Sequence, residues 1–190
     1  MTKFKRNPIG GIIGRVIQVS VMGIIRCTTR LLNELAIKPT IEADRFPGLG
    51  NWHANLLRID RKKFVLFTND QTTYSFLGRW LMKPAPEDFA GVFRMGLFRS
   101  LTGEGLAEAQ VEYMLGEHKH IEIAKTSNRS ILGSMNELVF QIKYMIDSRG
   151  GLANTDLSEI NRDLNHIPMS VIRYSVGIDE LKRRLADHVR

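Results

Sequence analysis

A single cysteine, Cys27, is the chain's whole supply of thiol chemistry. One thiol makes no internal disulfide and, without a second cysteine, no C-x-x-C zinc site, which favours a reducing compartment. As a nucleophile it would need a neighbouring base. The expected role is a small buried residue on a strand. The chain also lacks H-E-x-x-H and G-x-x-x-x-G-K-[ST], so neither a zinc-peptidase helix nor a P-loop is written in it. Internal repeats, low-complexity tracts and an interdomain linker are missing as well.

A clean membrane span is lacking too. Residues 8–25 come nearest, but Arg15 and Gln18 interrupt the apolar run. A central arginine costs about 2.5–3.5 kcal/mol on insertion. No A-x-A cleavage site follows, so neither a signal peptide nor an anchor is expected. Residues 1–21 read instead as a basic and apolar N-terminal extension that need not be ordered, or as an extra edge strand. The first reading is preferred, with the domain proper running from Met22 to residue 190.

Charge is scarcer than the net +7 suggests. Residues 1–30 hold Lys3, Lys5, Arg6, Arg15, Arg26 and Arg30 and no acid, while the other 160 residues carry 21 basic and 20 acidic side chains. The pI of 9.8 therefore describes a segment and not a basic domain. What remains is ordinary globular material, 43% hydrophobic and 25% charged over 190 residues. A chain of this size hides roughly 70% of its unfolded surface, enough for one core without metal or disulfide.

Periodicity gives the element order. Ile24 to Cys27 is a β-branched run, and Thr28 or Thr29 can cap a helix bearing Leu31, Leu32, Leu35 and Ala36. After a loop over residues 39–51, three strands separated by polar turns form an antiparallel meander: Trp52 to Ile59, Phe64 to Thr68, and Thr72 to Leu77. The basic turn at Arg61 to Lys63 reads as a solvated hairpin tip. Helices follow from Pro86 to Gly103 and from Leu106 to Leu115, then a strand from His120 to Thr126. The longest helix spans residues 130–147, with Leu132, Met135, Leu138, Val139, Ile142 and Ile146 as its apolar stripe. Asp156 or Ser158 caps a short helix through Leu164, and Asp179 caps a terminal one. The expected fold is α+β: a mainly antiparallel sheet of four to five strands packed with helices, the 130–147 helix central. The alternative is an open mixed sheet with the first strand inserted between meander strands.

The candidate chemistry lies where the strand ending at Thr126 hands over to the long helix. The first turn of a helix leaves amides unpaired and carries partial positive charge, which suits phosphate or carboxylate. Lys125, Asn128, Arg129 and the hydroxyls of Thr126, Ser127, Ser130 and Ser134 crowd that end, and Gly133 would permit close approach. Asn55 and Arg58 stand as polar interruptions of an apolar strand and join the candidate set, with Arg61 as a further contact. Plain capping and packing would use the same residues, since Asn and Ser are ordinary caps and Ser134 with Glu137 has capping-box spacing.

The leading expectation is non-enzymatic binding of a phosphate-bearing anion, nucleic acid first. A metal-independent hydrolase or toxin-like nuclease would instead use His118 or His120, which share a strand face with Glu122 if the strand includes them all. The third reading is a structural partner protein or homo-oligomer. No cofactor and no metal are expected, Lys119 disfavouring a cation at the histidines.

These segments also resemble a family. They are residues 25–32, Asn51-Trp52-His53-Ala54-Asn55-Leu56-Leu57-Arg58-Ile59-Asp60-Arg61-Lys62, residues 65–69, residues 125–136 with their N-R-S-x-L-G-S-M-N run, and residues 161–169. Together they look like a bacterial domain-of-unknown-function family, some members similar to products of mobile or plasmid-borne genes. The resemblance covers about residues 22–185. It implies a bacterial, cytoplasmic setting, supports Met22 as the start of the domain, and brings no established activity and no catalytic residue.

Overall fold

The computed structural model describes residues 22–39, 48–80 and 86–188. The expectations for residues 1–21, and the middle of the loop before the meander, lie outside these. In chain order the elements are β1 (Met22–Cys27), α1 (Thr29–Leu35), β2 (Asn51–Ile59), β3 (Lys62–Asn69), β4 (Ser75–Trp80), α2 (Pro86–Gly103), α3 (Glu108–Gly116), β5 (His120–Lys125), α4 (Arg129–Ser148), α5 (Leu157–Asn165), β6 (Pro168–Met169), β7 (Ser175–Val176) and α6 (Gly177–Ala186). Class α+β is right, but the five-stranded sheet is mixed. Its order is β4-β3-β2-β1-β5, with β1 parallel to both β2 and β5 and the other two pairings antiparallel. The meander β2–β3–β4 stays contiguous, so β1 lies beside it and is not inserted into it.

The physical reason is the connection. Two antiparallel strands can be joined by a tight turn, as Asp60 and Arg61 join β2 to β3 with φ of 48° and 63°. A strand followed by a helix crosses over and returns parallel. Both β1–α1–β2 and the helical passage from β4 to β5 make such crossovers.

Helices cover both faces. One face carries Ile25, Cys27, Trp52, Ala54, Val65 and Phe67, packed under α1, α2, α3 and α6. Its centre is aromatic: Trp52 meets Phe93 edge-on at 5.2 Å, and Phe67 stacks on Phe76 at 5.0 Å. The other face carries Leu57, Ile59, Phe64, Leu66 and Leu77 against Ile131, Met135, Leu138, Ile142 and Ile146 of α4 and Ile160 and Leu164 of α5. The long helix is therefore central to one layer only. Its buried stripe is turned slightly from the expected one: Ile131 is buried and Leu132 half-buried.

Two further expectations are corrected. β4 begins at Ser75 and not Thr72, because Asn69 Oδ1 takes the amides of Gln71 and Thr72 and extends the turn. Asp179 lies inside the first turn of α6, whose N-cap is Val176. The short β6–β7 hairpin that precedes α6 gave no sequence signal. Among the described residues no helix is long and apolar enough to cross a membrane.

Candidate functional site

Parallel neighbours β1 and β5 end level with one another: Cys27 pairs with Lys125, and Thr126 N donates to Cys27 O at 3.0 Å. From that point the chain leaves β1 into α1, which packs on one face, and leaves β5 into α4, which packs on the other. Adjacent parallel strands whose helices diverge to opposite faces form a crevice beyond their carboxyl ends, the usual place for a ligand in a sheet of this kind. Lys125, Asn128, Arg129 and Ser130 lie at this end of the sheet.

Each helix is capped by its own sequence. Thr28 Oγ1 accepts from Leu31 N at 3.4 Å and donates to Asn55 Oδ1 at 3.2 Å, tying the start of α1 to β2. Asn128 Oδ1 accepts from Ser130 N at 3.0 Å and Ile131 N at 3.2 Å. Such a cap is worth about 1 kcal/mol. It also takes the Ser130 amide away from any ligand. The Arg129 amide, first of the helix, keeps no protein acceptor among the described residues.

The side chains divide. Lys125, Ser127, Arg129 and Ser130 are exposed around the helix start, and Thr126 and Asn128 are half-buried. Ser134 does not join them. It is buried in the second turn, and its hydroxyl donates to Ser130 O at 3.3 Å, so it neither caps the helix nor faces the crevice. Gly133 is exposed, and a Cβ there would meet nothing within 4 Å, so no close approach requires it. Arg58 is turned to Glu34, at 3.5 Å, and Lys63 holds the same carboxylate. The hydrogen bond from Lys63 keeps the Glu34 carboxyl below its ordinary range. Arg61 is exposed at the hairpin tip.

Sequence reasoning missed a buried polar row beneath the crevice. On the α4 side of the sheet Arg26 pairs with His53, His53 with Thr68, and Thr68 with Ser75. All four are buried. Arg26 Nη1 donates to Asn51 Oδ1 at 3.2 Å, and Thr68 and Ser75 share a hydroxyl hydrogen bond at 2.9 Å. His53 Nδ1 is hydrogen-bonded to Thr126 Oγ1 at 2.9 Å, so the interior row reaches the surface at the crevice. The signal was the period of two: Asn51, His53 and Asn55 share one strand face.

His118 and His120 do not form a pair. β5 begins at His120, and His118 sits in the turn after α3, fully buried beside Trp52 and Phe93. Its Nδ1 donates to Met114 O at 2.5 Å. Burial pushes its pKa down to about 4, against the pull of that carbonyl. His120 is exposed and shares its strand face with Glu122 and Ala124. Among the described residues no group of three metal-binding side chains occurs. Cys27 is buried on β1, and burial pushes its thiol far up, which removes thiolate chemistry.

A mixed five-stranded sheet between two helical layers, reversing at a polar crevice, defines the class: an α+β domain. The chain belongs to the family described as Domain of unknown function (DUF6933), whose match covers residues 24–180. No curated protein matches it significantly.

Proposed function

We propose that the domain binds a phosphate-bearing anion, nucleic acid first, at the crevice beyond β1 and β5, without catalysing a reaction. One observation carries this reading. Exposed Lys125 and Arg129 flank the start of α4, whose first amide has no acceptor among the described residues, at the place where the sheet sends its helices to opposite faces. Asn128 and Ser130 frame the site, and Thr126 links it to His53. Asn55 supports it from β2 through Thr28.

Fluorescence anisotropy with short single- and double-stranded oligonucleotides at rising salt tests the reading. Affinity is expected to fall with salt, and Arg129→Ala should weaken binding to all sequences alike and reduce the salt slope by about one. Absence of binding at low salt, or an unchanged slope in the variant, refutes it.

A second reading, a partner protein, is favoured by Phe140 and Tyr144. They lie four residues apart on the outer side of α4 and are 68% and 65% exposed.

A further inference from the structure

Edge strand β4 is closed along only part of its length. Its outward backbone groups belong to alternate residues, 75, 77 and 79. α5 covers the first two with side chains. Asn165 Oδ1 accepts from Ser75 N at 2.7 Å and Asn165 Nδ2 donates to Ser75 O at 3.0 Å, while Asn161 Oδ1 accepts from Leu77 N at 2.8 Å. The next position at this four-residue spacing is Leu157, the first residue of the helix, and its apolar side chain offers the backbone of Arg79 no hydrogen bond. There strand and helix part, and two cavities open, of about 320 and 380 Å³. Arg79, Asp156 and Leu157 line both, so the two make one groove with Arg79 at its middle.

The groove has mixed charged and apolar walls, with Arg79 and Asp156 where the two cavities adjoin. Arg99 and Arg162 line the first cavity, and Lys62 lines the second. Leu77, Leu157, Phe64 and Leu152 supply apolar walls. Two carboxylates are present, Asp156 and Glu104. Asp156 is committed to capping α5, its Oδ1 accepting from Ser158 N at 2.8 Å. Glu104 accepts from Asn165 Nδ2 at 3.4 Å, and burial pushes its carboxyl up. Four cations against two acids leave the groove positive. The combined space falls within the size of small-molecule sites.

We propose that this groove binds a small organic anion with two acidic groups joined by an apolar body. Arg99 and Arg162 hold one group, Lys62 holds the other, and Arg79 bridges them. Guanidinium forks match carboxylate and phosphate oxygens equally in shape, so both share this chemistry. The groove is separate from the crevice of the proposed function, because β4 and β5 are opposite edges of the sheet, four strand spacings or about 19 Å apart.

Amide NMR of the full chain, titrated with suberate, with hexane-1,6-diol bisphosphate and with single-headed hexanoate, tests this. Saturable shifts are expected at Leu77, Arg79, Gly103 and Leu157. The better dianion should bind at least about ten-fold tighter than hexanoate, and which dianion wins tells carboxylate from phosphate. Arg79→Gln should weaken it about ten-fold, the loss of one charge-assisted contact. Arg79→Lys should recover part of that, and Arg129→Ala should leave the shifts at Leu77, Arg79, Gly103 and Leu157 as they are. Equal affinity for one- and two-headed anions, no saturable shift with either dianion, or shifts confined to residues 125–130 overturns the proposal.

Discussion

Replacing Asn165 with leucine is expected to lower the unfolding free energy by about 3 kcal/mol. Asn165 is buried, and its amide serves both backbone groups of Ser75 as a neighbouring strand would. Its Nδ2 also donates to Asn161 O at 2.9 Å. Leucine fills nearly the same space, so packing is kept. The Ser75 amide and carbonyl would then be buried without partners, each costing about 1–3 kcal/mol. Asn161 is half-buried and serves a single amide, so Asn161→Leu should cost less, about 1 kcal/mol. Urea unfolding of both variants checks the order. A loss in Asn165→Leu no larger than in Asn161→Leu would show that edge pairing does not hold α5 to the sheet. Uncovering β4 also exposes a sheet edge, so the Asn165 variant should aggregate sooner on heating.

Acidification should destabilise the fold through His118, and His118→Gln should remove that response. A carbonyl only accepts, so the bond to Met114 O places the proton on Nδ1 and leaves Nε2 bare. That nitrogen is buried with no partner among the described residues, and protonating it would put a charge into the aromatic core. The folded pKa, about 4, lies below the ordinary 6.5 of the unfolded chain. Above pH 6.5 neither state holds the extra proton, and the full stability is present. Between 6.5 and 4 the unfolded chain takes up a proton that the folded one refuses, so stability falls. From pH 7 to pH 4.5 the loss from this residue should be about 2 kcal/mol. Glutamine keeps a donor for Met114 O and does not titrate. Denaturation at the two pH values compares the slopes, and equal slopes in parent and variant would exclude His118 as the cause.

The helices were legible because their signals are local. Asn128 and Asp156 stand where caps belong, and Phe89, Phe93, Leu97 and Leu101 recur on one helical face. The meander was legible for the same reason, its turns being short. The expectation of a mainly antiparallel sheet missed the parallel pairings of β1, although their cue was present. A strand, a helix and a strand over residues 24–59 form a crossover unit, which demands parallel pairing. At the site, exposure at Lys125 and Arg129 followed from the motif, whereas Ser134 was assigned to the wrong side by composition alone. The pair His118 and His120 required the strand to reach back to His118, whereas β5 begins at His120, where the sequence pattern places it.

The amino-acid sequence by itself determined most of the helices and the long strands, and the caps of α1, α4 and α5, because propensity, capping and periodicity act over a few residues. Only the tertiary structure decided that β1 lies between β2 and β5. It also decided that His53 meets Thr126, 73 residues away, and that Asn161 and Asn165 close the β4 edge. Those contacts join residues far apart in the chain, and a buried polar group takes whichever partner the packing of whole layers delivers to it.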